Sequence, residues 1–201
     1  MKQAILYFVK YPEPGKVKTR LAAGVGNVKA AALYKELAEK NFRTIKQTNG
    51  EEVKTVVVFD SPAREEDIKG WLKEADGYLA QKGNDLGERM TAAFEEAFAG
   101  EFEGAMAAGS DTLALTDGIL RQALRELQSK DVVLGPAKDG GYYLIGLRKA
   151  QPSLFIDMPW STPALLEETL ARIRDEKLSL ALLEELDDLD DVTRYVKGEF
   201  V

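Results

Sequence analysis

Apolar positions along this chain occur in two kinds of run. Short continuous runs stand at Ala4–Val9 (AILYFV), Lys54–Asp60 (KTVVVFD), Tyr78–Gln81 (YLAQ) and Gly104–Ala108 (GAMAA). Continuous short runs of this kind predict strands buried on both faces, as in a parallel sheet. Between them apolar residues recur three and four apart, which predicts amphipathic helices. The first, from Asn27 or Val28 to Thr48, buries Ala31, Leu33, Tyr34, Leu37, Ala38, Asn41/Phe42 and Ile45, and Asn49-Gly50 ends it. A second opens at Ser61-Pro62, with Ser as cap and Pro at the first position, and runs through Ile68, Trp71 and Leu72. Trp71 there reads as core-facing rather than as a platform for a base. Further helices are expected over Leu86–Phe98, from Thr116 to near Ser129, and from Pro163 to near Arg174 with Ser161 or Thr162 as cap.

The second half adds a different signal. Asp131–Ala137 (DVVLGPA) and Tyr142–Leu147 (YYLIGL) flank Lys138-Asp139-Gly140-Gly141, and Asp-Gly between two apolar runs predicts a β-hairpin. Leu178–Leu183 (LSLALL) reads as a late strand, and Asp187, Asp188, Asp190 and Asp191 read as a capping cluster before a last short helix. No repeat and no linker divides the chain, so residues 1–201 form one domain. The fold class expected is α/β: a three-layer α/β/α arrangement with a mostly parallel central sheet and a hairpin in the second half.

Charge and composition narrow the chemistry. The net charge of −7 argues against general nucleic-acid binding, which needs a basic face. No apolar run approaches the ~18 residues of a membrane span, and no secretory leader is visible, so a cytoplasmic location is expected. The chain has no Cys and no His. Thiolate chemistry, zinc fingers and the commonest general base are therefore absent. What remains is carboxylates, Lys/Arg, hydroxyls and a hard cation such as Mg²⁺ or Mn²⁺, a set suited to phosphates.

Three places could carry that chemistry. The loop KYPEPGKVKTR, irregular because of Pro12, Pro14 and Gly15, places Lys10, Lys16, Lys18 and Arg20 directly after the first strand. That is where α/β folds bind phosphates. In KGNDLGERM, Gly83 would approach a ligand with Arg89 facing the same cleft, while Asp85 either borders the ligand or simply caps the helix. Asp111 ends the Gly104–Ala108 strand, at the mouth of an open sheet, where it could hold a divalent metal on a nucleotide diphosphate or cap a turn. Asp139 has a structural reason in its hairpin, but paired glycines beside Tyr142 and Tyr143 exceed what a turn needs.

Taken together, FVKYPEPGKVKTRL, GNDLGERM, GSDTLALT, GPAKDGGYYLIGL, MPWSTP and LDDLDDVTRY resemble a bacterial family of GT-A-like proteins, the selenodomain-associated transferases within the nucleotide-diphospho-sugar transferase superfamily. The likeness spans nearly the whole chain. It is also similar, more distantly, to guanylyltransferases acting on phospholactate or molybdopterin, which share a basic first loop. The resemblance implies an enzyme that uses Mg²⁺ or Mn²⁺ to transfer a sugar from a nucleotide-diphospho-sugar to a small-molecule acceptor. Nucleotidyl transfer from a nucleoside triphosphate, or binding of a nucleotide without turnover, are the alternatives. Lys16, Lys18 and Arg20 would hold phosphates, Gly83 and Asp85 would border the nucleoside, and Asp111 would be the metal-binding acid. Asp139 would serve as acceptor-side base or second metal ligand. The family's Asp-x-Asp is reduced here to one acid, flanked by Ser110 and Thr112-Leu113, and Leu113 stands where relatives often have Pro.

Overall fold

The computed structural model describes residues 1–189. Strands β1 (Gln3–Val9), β2 (Val53–Phe59), β3 (Gly77–Ala80) and β4 (Gly104–Ala108) are mutually parallel. The hairpin strands β5 (Val132–Pro136) and β6 (Tyr142–Leu147) are antiparallel, and β6 inserts between β4 and β5. With β7 (Leu180–Leu182) parallel to β5, the seven-stranded sheet has the order β3-β2-β1-β4-β6-β5-β7. Only β6 runs against the rest, so the mostly parallel three-layer arrangement with its hairpin stands.

Period-two alternation explains why both faces are covered. From β1, Ile5, Tyr7 and Val9 enter one core with Phe42 and Ile45 of α2 (Asn27–Thr48), Ile68 of α3 (Glu65–Trp71) and Leu120 of α5 (Asp117–Glu126). Ala4 and Leu6 enter the other core with Phe94 of α4 (Leu86–Ala99) and Ile173 of α6 (Leu165–Asp175). No helix among the described residues is long and apolar enough to cross a membrane.

Several boundaries differ from the sequence reading. A short helix, α1 (Thr19–Val25), begins inside the expected basic loop and carries Arg20 on its exposed side. Ser61 is the N-cap, with Pro at the first position, of a 3₁₀ turn over Pro62–Arg64, though its side chain makes no capping hydrogen bond, and α3 starts after that turn with three acids in its first turn. Ser161 and Thr162 do not cap α6, whose N-cap is Ala164. Ser161 instead takes a left-handed backbone conformation, φ 62°. Thr116 does cap α5, accepting from Ile119 N–H at 3.3 Å. The short helix expected after Asp191 lies outside the described residues.

Candidate functional site

The C-terminal ends of β1 and β4 open into a cleft of about 540 Å³. In a parallel sheet this edge collects the loops that follow each strand, so the ligand site of such folds lies here. Of the residues singled out in the sequence, Lys10, Lys16, Lys18, Arg89 and Asp111 line the cleft. Arg20, Gly83, Asp85 and Asp139 do not.

The first loop is fixed from both sides. Val17 is buried in a small cluster with Ala31, Tyr34 and Ala38 of α2. This anchor fastens the backbone between Lys16 and Lys18, both of which line the cleft. Upstream, Glu13 receives Arg64 at 2.8 Å and Lys16 at 3.1 Å, and the Arg64 guanidinium lies 4.9 Å from the centre of the Tyr11 ring. Lys18 has φ 48°, a left-handed conformation that a non-glycine residue adopts only when its surroundings impose it. Its nearly buried ammonium forms an ion pair with Asp111 Oδ2.

Asp111 sits on a loop held as firmly. Buried Asn41, a polar residue on the apolar face of α2, donates to Thr112 O at 2.9 Å and Ser110 O at 3.3 Å. The Tyr34 hydroxyl accepts from Lys10 N–H at 2.9 Å and pairs with Ser110 Oγ at 2.9 Å. The ends of β1 and β4 are therefore tied through two side chains of one helix. The sequence signal for both was faint: an Asn and a Tyr within an otherwise apolar stripe.

Asp188 is a second acid close enough to Asp111 for the two charges to interact, and the charge of Asp139 acts on it as well. The stretch after β7 runs beside the loop after β4, with Leu113 N–H donating to Asp187 O at 2.8 Å and Leu189 N–H to Asp111 O at 2.9 Å. Thr112 and Asp188 form an antiparallel bridge between them. Burial, and then the negative charge of Asp111, push the Asp188 carboxyl up to about 7. Asp188 Oδ1 is buried with no hydrogen-bond partner among the described residues. In the sequence Asp188 was one acid of a capping cluster, and nothing in its spacing tied it to position 111. Asp139 lies at the exposed rim, its Oδ1 accepting from Gly141 N–H at 2.8 Å.

The remaining candidates, Gly83, Asp85 and Arg89, gather at the start of α4, and of these three only Arg89 lines the cleft. Asp85 caps α4, accepting from Glu88 N–H at 2.8 Å. Gly83 has φ 131°, and a Cβ there would stand 2.5 Å from Glu88 Cβ, so only glycine fits. Its carbonyl accepts from Arg89 Nε at 3.1 Å, which aims the guanidinium along the cleft wall. Tyr142 at the start of β6 and Trp160 also line the cleft.

Residues 44–162 match the family model described as "Uncharacterized protein conserved in bacteria (DUF2064)". The crystal structure of a provisionally assigned nucleotide-diphospho-sugar transferase from Desulfovibrio desulfuricans G20 is 36% identical, with TM-score 0.89, over 96% of this chain and 84% of that one. The inositol-1-phosphate CTP transferase from T. maritima shares the fold at 16% identity and TM-score 0.61, over 99% of this chain and 94% of that one. Glucosyl-3-phosphoglycerate synthase from Mycobacterium tuberculosis, in complex with Mn²⁺, UDP and glucosyl-3-phosphoglycerate, shares it at 10% identity and TM-score 0.59, over 98% and 75%. These neighbours are nucleotidyl and glycosyl transferases. No curated protein matches the sequence.

Proposed function

Since this chain belongs to the bacterial DUF2064 family, whose structural neighbours are transferases of nucleotides and nucleotide-sugars, we propose that its cleft takes a nucleotide-diphospho-sugar and transfers the sugar to a small-molecule acceptor. The observation that carries this reading is the Lys18–Asp111 pair at the end of β4. A cation-bound diphosphate presents the complementary pair, phosphate oxygens for Lys18 and a metal for Asp111. Lys10 and Lys16 on the same loop, and Arg89 across the cleft, add positive charge for the phosphates.

The donor set fits Mg²⁺ or Mn²⁺. Among the described residues no three acids gather closely enough to hold a metal by themselves. Mg²⁺ in nucleotide sites, however, takes only one or two carboxylates, the rest of its shell coming from phosphates and water. Asp111 and Asp188 supply that number, and the unpartnered buried Oδ1 of Asp188 is the kind of oxygen a cation would satisfy. Such a cation would neutralise charge on the departing diphosphate.

In the transfer, the acceptor hydroxyl oxygen bonds to the anomeric carbon and the bond from that carbon to the diphosphate oxygen breaks. Lys18, Lys16 and Lys10 stabilise the charge left on the diphosphate. The acceptor's proton would go to Asp139, which is exposed just outside the cleft lining and whose Oδ2 is the oxygen not already engaged by Gly141. Three lysines on one loop would also suit a triphosphate, which favours nucleotidyl transfer as the second reading. Incubation with UDP- and GDP-sugars and Mn²⁺ tests the first: the nucleoside diphosphate is released, and Asp111→Asn abolishes the release. Pyrophosphate release from GTP or CTP, without release from any nucleotide-sugar, would establish the second reading instead. A nucleotide-induced rise in Tm with neither turnover would make the protein a binding module.

A further inference from the structure

We infer that the wall formed by Tyr142 and Trp160 is a subsite for an uncharged, hydroxylated ring, the sugar of the nucleotide-sugar donor. This inference rests on the nucleotide reading of the cleft and adds where the sugar lies.

Trp160 is not placed by accident of a loose loop. The segment carrying it is pressed from two sides at glycines that admit no side chain. A Cβ on Gly87, in the first turn of α4, would stand 2.2 Å from Phe155 O and 3.0 Å from Trp160 Nε1. A Cβ on Gly140, in the hairpin, would stand 2.3 Å from Pro163 O. Held between these two backbones, Trp160 meets the Tyr142 ring edge-on, centroids 6.4 Å apart at 72°. Both rings line the cleft.

The wall also has hydrogen-bonding capacity that the protein leaves unused. The Tyr142 hydroxyl is buried with no partner among the described residues. A buried polar group left unpaired destabilises the fold, so it calls for a ligand oxygen or nitrogen at this wall. Neither ring is charged, and the lysines stand on a different segment, the loop after β1. Apolar ring faces take the C–H face of a sugar, and neutral donors take its hydroxyls. A phosphate would instead belong with Lys16 and Lys18.

The test measures calorimetric affinities, with Mn²⁺ present, for UDP and GDP against UDP-glucose and GDP-mannose. Tyr142→Phe is expected to keep the Tm, bind the diphosphates as the wild type does, and bind the matching nucleotide-sugar about three- to tenfold more weakly. Trp160→Ala should shift the same preference by more than tenfold, with Trp160→Phe recovering most of it. If Tyr142→Phe weakens diphosphate and nucleotide-sugar alike, the wall touches the nucleotide and the sugar assignment is overturned. If it weakens neither, no ligand uses the hydroxyl and the assignment is again overturned. In both cases the nucleotide cleft survives. If the wild type binds none of the probes, the nucleotide reading itself falls and takes this inference with it.

Discussion

Replacing Asp188 by Asn tests the burial of this acid beside Asp111, next to the cleft. Burial and the charge of Asp111 raise the Asp188 carboxyl from its ordinary 3.8 to about 7. A carboxyl raised in the folded state holds its proton more tightly there than in the unfolded chain. Stability therefore falls as pH rises from about 4 to about 7, and changes no further above that. The gap corresponds to a ceiling of about 4 kcal/mol lost by pH 8, and relaxation around the ionised carboxylate brings the expected loss to about 2 kcal/mol. Asp188→Asn keeps the side chain's size and removes the ionisation. Without added metal, the variant should gain about 2 kcal/mol over the wild type between pH 4.5 and pH 8, a relative rise in Tm of about 4–8 °C. Thermal melts monitored by circular dichroism at the two pH values measure this difference directly. Mn²⁺ or Mg²⁺ with a nucleoside diphosphate should stabilise the wild type at pH 8 and not the variant. A difference between variant and wild type that does not change with pH would refute the proximity of the two acids. So would a variant that loses stability, relative to the wild type, as pH rises.

Two further outcomes follow from groups that hold the loops. Lys18→Gln should weaken a nucleoside diphosphate at least tenfold, because a charge-assisted phosphate contact is lost, while leaving affinity for the nucleoside unchanged; titration calorimetry at two salt concentrations separates the effects. Asn41→Leu strands two carbonyls, Ser110 O and Thr112 O, and should cost about 2–3 kcal/mol in urea denaturation.

How much of this was legible in the sequence depends on whether a signal was local. Strands and helices were, because period-two and helical spacing are properties of neighbours in the chain. The basic loop and Asp111 were legible for the same reason: each sits at the end of a recognisable strand. Asp188 was not, because its pairing with position 111 arises from a chain that returns beside β4 after the whole sheet is laid down. Asn41 hid in plain view, counted with Phe42 among the apolar positions of α2, since periodicity reports which face is buried and not what hydrogen bonds are needed there. The capping expectations at Ser161 and Thr162 failed because side-chain type alone does not decide where the first helical turn begins. Ser161 shows this most clearly, its left-handed backbone being imposed by the packing of its segment.

The late return of the chain to β4 has a consequence for how the protein is made. The bridge between Thr112 and Asp188, and the bonds from Leu113 and Leu189 across it, join a strand made halfway through synthesis to a stretch made near its end. A nascent chain that has already released β1 to β4 and the helices between them from the ribosome has the basic loop and Asp111, with Lys18 available to neutralise that acid. It lacks the second carboxylate until residues 186–189 emerge. The pairing of Asp111 with Asp188 is thus absent from every partial translation product that stops short of it, and a chain ended before Leu186 would keep most of its sheet while never bringing the two acids together.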